Sequence, residues 1–298
     1  MRTLPDHVLA PLRHCLSAYL RAQARASYTS LYDRADQRDR IRLLSAAGPT
    51  AGKSFIASMA LHGVAFSDSE WREALRWRLG IEKRPAPGTQ CLLSSARCPT
   101  EEDICGTVLG VHADHEVACP HGPLRIQKHN ELCDTLASFM QEAGAIARRE
   151  PYVPEFSKAG QEAFLDVWAF GSPDLGDLLL DVTVRHPACP TYFDRACITP
   201  GHACTVASAD KARRYPAAGG RSVTCFAIES WGRLGLEAEA VLTDAAAAAA
   251  RRDNLRGRAS PGRLQRWRAQ LDAVLQRANA RAIIFCRCGI PGNPPRRS

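Results

Sequence analysis

The chain lacks any run of about 18 apolar residues, so no membrane-spanning helix is expected. Its first twenty residues, MRTLPDHVLAPLRHCLSAYL, have neither the apolar centre nor the cleavage site of a secretory signal. A soluble intracellular protein is the expectation. Lysine is scarce, at five against 34 arginines. Acidic residues are scarce in one place: residues 251–298 hold 12 arginines and only Asp253 and Asp272, a balance of +10. With a total of +8, residues 1–250 sum to −2. A basic stretch on a near-neutral body predicts a polyanion partner, most often nucleic acid. Arginine-rich composition alone is the competing account.

A phosphate-binding loop is also missing by one residue. The stretch AAGPTAGKSF (46–55) ends like such a loop, but Ala47 stands where the first glycine is required. IRLLSAA before it and LLLD (178–181) later imitate the strands of a nucleotide-binding fold. An NTPase using Lys53 is therefore kept only as the lesser alternative, and a Gly/Pro turn is the simpler reading.

Cysteine, in contrast, is plentiful, at twelve. In a chain of 298 residues without a signal, metal ligands or buried thiols fit better than disulfides. Several cysteines gather in residues 84–125 with His112, His115 and His121, among Pro, Gly and acidic residues. That stretch has too few periodic apolar residues to make its own core, so a bound metal would explain its folding. Zinc takes four Cys/His ligands in a tetrahedron. The best set is Cys98, Cys105, His115 and Cys119, with His112 or His121 as substitutes for His115 and Cys91 as a substitute for Cys98. A Cys286-x-Cys288 pair near the terminus has no second pair and is a weak signal.

Apolar spacing predicts helices in residues 1–45 and over 68–81, the latter starting at Ser67 or Asp68 and stopping at Gly80. NELCDTLASFMQEAGA (130–145) reads as an amphipathic helix with Asn130 as its cap. Strand-like segments follow at 145–153, 163–170 and 178–186, then a helix at 205–216 and a fourth strand at 223–230. Helices are also expected at 234–253 and 260–281.

Two aspartates interrupt the strand-like runs: Asp166 in AFLDVWAF and Asp181 in LLLDVTV. A charged carboxylate inside a sheet is costly unless it is paired or holds a metal. Side by side, the two could bind one Mg²⁺ or Mn²⁺ and serve phosphodiester hydrolysis by a metal-activated water. Outward-facing side chains on half-exposed strands are the plain alternative.

The order helix, three strands, helix, strand resembles the core of PD-(D/E)XK, or restriction-endonuclease-like, nucleases. Closest is the C-terminal endonuclease domain of site-specific non-LTR retrotransposon reverse transcriptases. In that family a Cys/Cys/His/Cys knuckle precedes a K/R-H-D/N tripeptide, then P-D and a second Asp 12–14 residues later. Here the knuckle region is CPTEEDICGTVLGVHADHEVAC, the tripeptide is Lys128-His129-Asn130, and 14 residues separate Asp166 from Asp181. The resemblance covers about residues 90–232 and implies an α/β fold in four parts. These are a helical linker region (1–83), the zinc knuckle (84–125), the endonuclease-like core (126–232) and a basic helical C-terminal extension (233–298).

The resemblance further implies a metal-dependent DNA endonuclease of retroelement origin, working in the nucleus. DNA is the implied partner, RNA a second one, and a separate reverse-transcriptase polypeptide a third. This chain has no Tyr-x-Asp-Asp polymerase motif of its own. Asp166 and Asp181 would hold the Mg, His129 would contact phosphate or carry a proton, and Glu150 would be a further acid. Leu165 replaces the motif's proline. Thr183 replaces the motif's lysine, and Lys211, in a K-x-x-x-Y pattern with Tyr215, would substitute from the next helix. Without that lysine the domain would be a catalytically inactive nucleic-acid-binding module, which is the main alternative. Glu229 and Trp231 are expected to end a strand and pack the next turn.

Overall fold

A computed structural model describes residues 6–58, 62–94, 103–158, 160–255 and 262–288. Its elements in chain order are α1 (Asp6–Arg34), α2 (Gln37–Ala46), α3 (Lys53–Ile56), α4 (Asp68–Arg78), α5 (Asp114–Ala118) and α6 (Leu124–Glu142). Then come β1 (Ile146–Arg149), β2 (Val167–Ser172), β3 (Gly176–Arg185), α7 (Phe193–Ala196), α8 (His202–Arg214), β4 (Val223–Glu229), α9 (Leu236–Leu255) and α10 (Arg263–Cys288). The sheet runs β1-β2-β3-β4, antiparallel between the first three strands and parallel between β3 and β4. A parallel neighbour requires a crossover, and α7 and α8 supply it.

The strands alternate as a sheet covered on both faces must. Leu180 and Val182 of β3, with Phe226 and Ile228 of β4, face α6, α9 and α10. Leu179 of β3 points the other way, into a cluster with Phe156 and Tyr215, and Cys225 and Ala227 of β4 pack on Cys204 and Ala207 of α8. The chain is thus mixed α/β, with a four-stranded mixed sheet between helical layers. No helix among the described residues is long and apolar enough to cross a membrane.

Three sequence expectations shift and one helix start holds. The helix expected from Asn130 begins at Leu124, with Pro123 at its cap. A proline loses nothing there, because the first N–H groups of a helix have no intrahelical partner. Asn130 is therefore inside the helix, and His129 lies in its second turn rather than before it. β1 is shorter than expected because Glu150 takes a left-handed backbone (φ 50°) and Pro151 offers no donor. Asp166 sits in the bend just before β2, not within a strand. The helix at 68–81 does start at Ser67, through a capping box with Glu70.

The largest correction concerns the basic C-terminal segment. α10 is a central helix, with Trp267, Leu271, Leu275 and Ile283 fully buried. Trp267 stacks on Phe139 of α6 with ring centroids 4.6 Å apart. Its arginines point back to acids of the body: Arg263 and Arg266 to Glu142, Arg268 to Glu239, Arg281 to Glu70, Arg277 and Arg281 to Glu131, and Arg287 to Glu116. The described arginines of α10 are thus engaged in ion pairs within the fold. The knuckle region shares this helix, since Ala282 and Cys286 complete its small core with Cys91, Leu93, Leu109 and Leu124.

Candidate functional site

The β2–β3 ladder pairs Val167 with Leu180. One step further, Asp166 falls opposite Asp181, and its amide donates to Leu180 O at 3.1 Å. Directly opposed residues share a face and lie close, so the register itself brings the two carboxylates together. Each then meets a base from a different helix. His129 Nε2 of α6 is 2.9 Å from Asp166 Oδ1, and Lys211 Nζ of α8 donates to Asp181 Oδ2 at 2.8 Å. The Val182 amide donates to the other Asp166 oxygen at 2.6 Å. Lys211 therefore reaches the acid pair from the helix that follows it. Thr183, two residues beyond Asp181 on β3, holds the place where the motif has its lysine.

Electrostatics divide the pair. Burial works against charge on Asp166, but His129 and the Val182 amide hold its carboxyl below the ordinary value. Burial pushes Asp181 up to about 6, with Asp166 adding to the rise and Lys211 opposing it. Two ionised carboxylates this close repel, and oxygen donors facing one another could hold a hard divalent cation. Cys133 Sγ lies 3.5 Å from His129 Nε2, and burial pushes its thiol up; His129, Cys133 and Asp166 each place a ligand atom within 4.8 Å of the others and could themselves hold a metal ion. Glu150 does not join the site. Its side chain is exposed, and its link to Asp166 is through the backbone, N–H to Asp166 O at 3.2 Å.

The second cluster is the knuckle. Cys91, Cys105, His115 and Cys119 place one ligand atom each within 4.8 Å of all the others. Sulfur separations are 3.7 Å for Cys91 and Cys119 and 3.8 Å for Cys119 and Cys105, and His115 Nε2 is 3.4 Å from Cys105 Sγ. A tetrahedron with Zn–S bonds of about 2.3 Å has edges of about 3.8 Å, so the spacing suits a metal ion such as zinc. Cys119 and Cys91 hold the His115 ring up at about 10, which marks a pocket that attracts positive charge. Of the expected ligands, Cys105, His115 and Cys119 belong to the cluster. Cys91 takes the remaining place, and Cys98 lies outside the described residues. Cys286, from the end of α10, is a buried fifth thiol against Cys119 and Cys91. The sequence signal for it was only the weak Cys-x-Cys pair.

Two buried polar junctions were not expected from the sequence, although Lys128 belongs to the tripeptide named above. Lys128 is fully enclosed. Its ammonium donates to Val117 O at 2.9 Å and to Asn279 Oδ1 at 3.1 Å, tying the knuckle to α10, and burial brings it down to about 8. His186, also buried, sits between Ser230 Oγ (2.7 Å) and Asp114 Oδ1 (3.1 Å), while Arg38 pairs with Asp114. Ser230 is 1 % exposed, so this relay reaches no substrate and is architecture.

The GKS turn has an internal occupant. Ser54 donates to the Asp272 carboxylate from its amide (2.9 Å) and its hydroxyl (2.5 Å), and α3 starts at Gly52 with φ 75°. Amides at a helix start favour an anion, and here the anion is the protein's own Asp272 from α10. A nucleotide phosphate would have to displace it, so the NTPase alternative loses its site.

Known protein families offer no model that matches this chain, and a search of curated proteins returns no match.

Proposed function

We propose that the chain is a metal-dependent DNA endonuclease with a restriction-endonuclease-like core, of retroelement origin. The observation that carries this reading is the row His129–Asp166–Asp181–Lys211, assembled from α6, the start of β2, β3 and α8. The element order around it, α6, three strands, α8 and β4, supports the same reading.

Hydrolysis adds water across one P–O bond: the water oxygen bonds to phosphorus, and the departing sugar oxygen takes a proton. Asp166 and Asp181 are the groups that would hold Mg²⁺ or Mn²⁺, which when bound stabilises charge on phosphoryl oxygen and lowers the pKa of water. Lys211, fixed by Asp181, orients the attacking water from the α8 side. His129, fixed by Asp166, is placed to carry the proton or to contact the phosphate. The knuckle is read as a zinc module packed on the nuclease core. DNA as partner, a nuclear location and work beside a separate reverse-transcriptase polypeptide belong to this reading.

One observation favours a second reading, a nucleic-acid-binding module without activity: Thr183 occupies the motif's lysine position. Nicking of supercoiled plasmid in Mg²⁺ or Mn²⁺ separates the two. Metal-dependent nicking by the wild type that disappears in Asp181→Ala supports the nuclease. No nicking in either metal, with salt-sensitive DNA binding intact, leaves the binding module.

A further inference from the structure

Beside the acid pair the ladder carries two exposed rings. Tyr152 and Phe164 face each other across an antiparallel bridge, with ring centroids 5.4 Å apart. They are 50 % and 54 % exposed. Among the described residues, no other ring–ring contact joins two aromatics that are each so exposed. Their backbone is fixed: Val153 donates to Ala163 O at 2.9 Å and Leu165 to Pro151 O at 3.1 Å. Their neighbours Val153, Ala163 and Leu165 are buried in the cluster under Phe156 and Tyr215. Phe164 comes two residues before Asp166, which sits in the bend that leads into β2. Two residues of extended chain span about 7 Å, roughly one nucleotide step from the phosphate that Asp166 would approach.

Charge on this side matches a nucleic-acid strand. Arg125 is exposed, makes no ion pair among the described residues, and precedes His129 by one turn of α6. Residues four apart on a helix lie on one face, so Arg125, His129 and Cys133 form a row that leads to Asp166. An exposed cation one turn before His129 and an exposed aromatic pair two residues before Asp166 thus flank the acid pair along the chain.

We propose that Tyr152 and Phe164 stack an unpaired base next to the phosphate that is cut, and that the preferred substrate is single-stranded, frayed or gapped DNA. Every base offers a π-face, so such a platform binds without reading sequence. A base already unpaired enters at the least cost, because a paired one must first be unstacked. This rests on the endonuclease reading above.

The test compares wild type, Tyr152→Ala, Phe164→Ala and Phe164→Trp. Affinities for a fluorescent single-stranded DNA and for the same sequence as duplex are measured without divalent metal, and cleavage of a gapped duplex is measured with Mn²⁺. Each alanine variant is expected to lose about tenfold in single-strand affinity with duplex affinity unchanged. Phe164→Trp is expected to restore binding, and wild type to cut at the gap faster than in intact duplex. Unchanged single-strand affinity in both alanine variants overturns the proposal, as does an equal loss on single strand and duplex. A wild-type dimer that becomes monomeric in Phe164→Ala overturns it too, in favour of self-association, and ring-dependent binding of single-stranded RNA but not DNA overturns it in favour of RNA. Ring-dependent DNA binding with no cleavage by wild type in any metal keeps the platform and overturns the nuclease reading instead.

Discussion

The Lys211 ammonium lies 2.8 Å from Asp181, at the end of a side chain that starts on another element. A strand lysine two residues from the second acid would sit on the same face as that acid. Here a threonine stands on the strand and a helical lysine leans across to the same carboxylate. The cation that meets Asp181 thus comes from the helix and not from the strand.

If Lys211 orients the water, Lys211→Ala should lower the nicking rate by about a hundredfold or more, the usual range for one proton-transfer or orienting group. Thr183→Lys in the Lys211→Ala background should recover part of that loss. Nicking at the wild-type rate in Lys211→Ala removes the lysine from the mechanism.

Metal affinity should follow the Asp181 proton. Its folded value is about 6, above the 3.8 of an ordinary aspartate. Between those values the folded state keeps a proton that the unfolded state releases, so without metal stability falls as pH rises through that window. A divalent cation needs the ionised form. The thermal shift given by Mn²⁺ should be full above about pH 7 and fade below pH 6. In Asp181→Asn the shift should be small and flat with pH, and a shift of wild-type size there would exclude Asp181 as a ligand.

The knuckle should hold one zinc per chain through Cys91, Cys105, His115 and Cys119. Purified Cys91→Ser should contain far less zinc by elemental analysis, while Cys98→Ser and Cys286→Ser should retain it. Zinc lost in Cys98→Ser but kept in Cys91→Ser would reverse the assignment. Chelation should also lower Tm, because the small core under the knuckle has little else to order it.

Asp272 holds the GKS turn from inside, so Asp272→Ala leaves the buried Ser54 amide and hydroxyl without an acceptor. The expected cost is about 3 kcal/mol, seen as a lower midpoint in urea. The wild type should show no ATP binding by calorimetry. Tight ATP binding would mean that a nucleotide displaces the carboxylate.

Local features were legible in the sequence. Asp181 within β3, the helix start at Ser67 and the strands β3 and β4 depend on neighbours within a few residues. Cys105, His115 and Cys119 also fell together, since one loop and one short helix carry them. What escaped depends on distant segments. Cys91 was kept only as a substitute, because nothing local distinguishes it from Cys98. Asp114, His186 and Ser230 form a chain of hydrogen bonds, yet over seventy positions separate the first two. The charge of α10 misled most, because counting arginines does not reveal that each described one has a partner. Propensity did mark a helix there, but it could not say that Trp267 stacks on Phe139.

α10 also sets an order of events. It leaves the ribosome after every element it touches, yet it supplies Asp272 to the GKS turn, Asn279 to Lys128 and Cys286 to the knuckle. A nascent chain emerges at about 5–20 residues per second and folds from its N-terminal part. The sheet with its acid pair is thus exposed to the cell for some seconds before the helix that closes its core arrives. A message cut short before residue 263 would yield the acid pair without that helix, as a substrate for proteases rather than a closed fold.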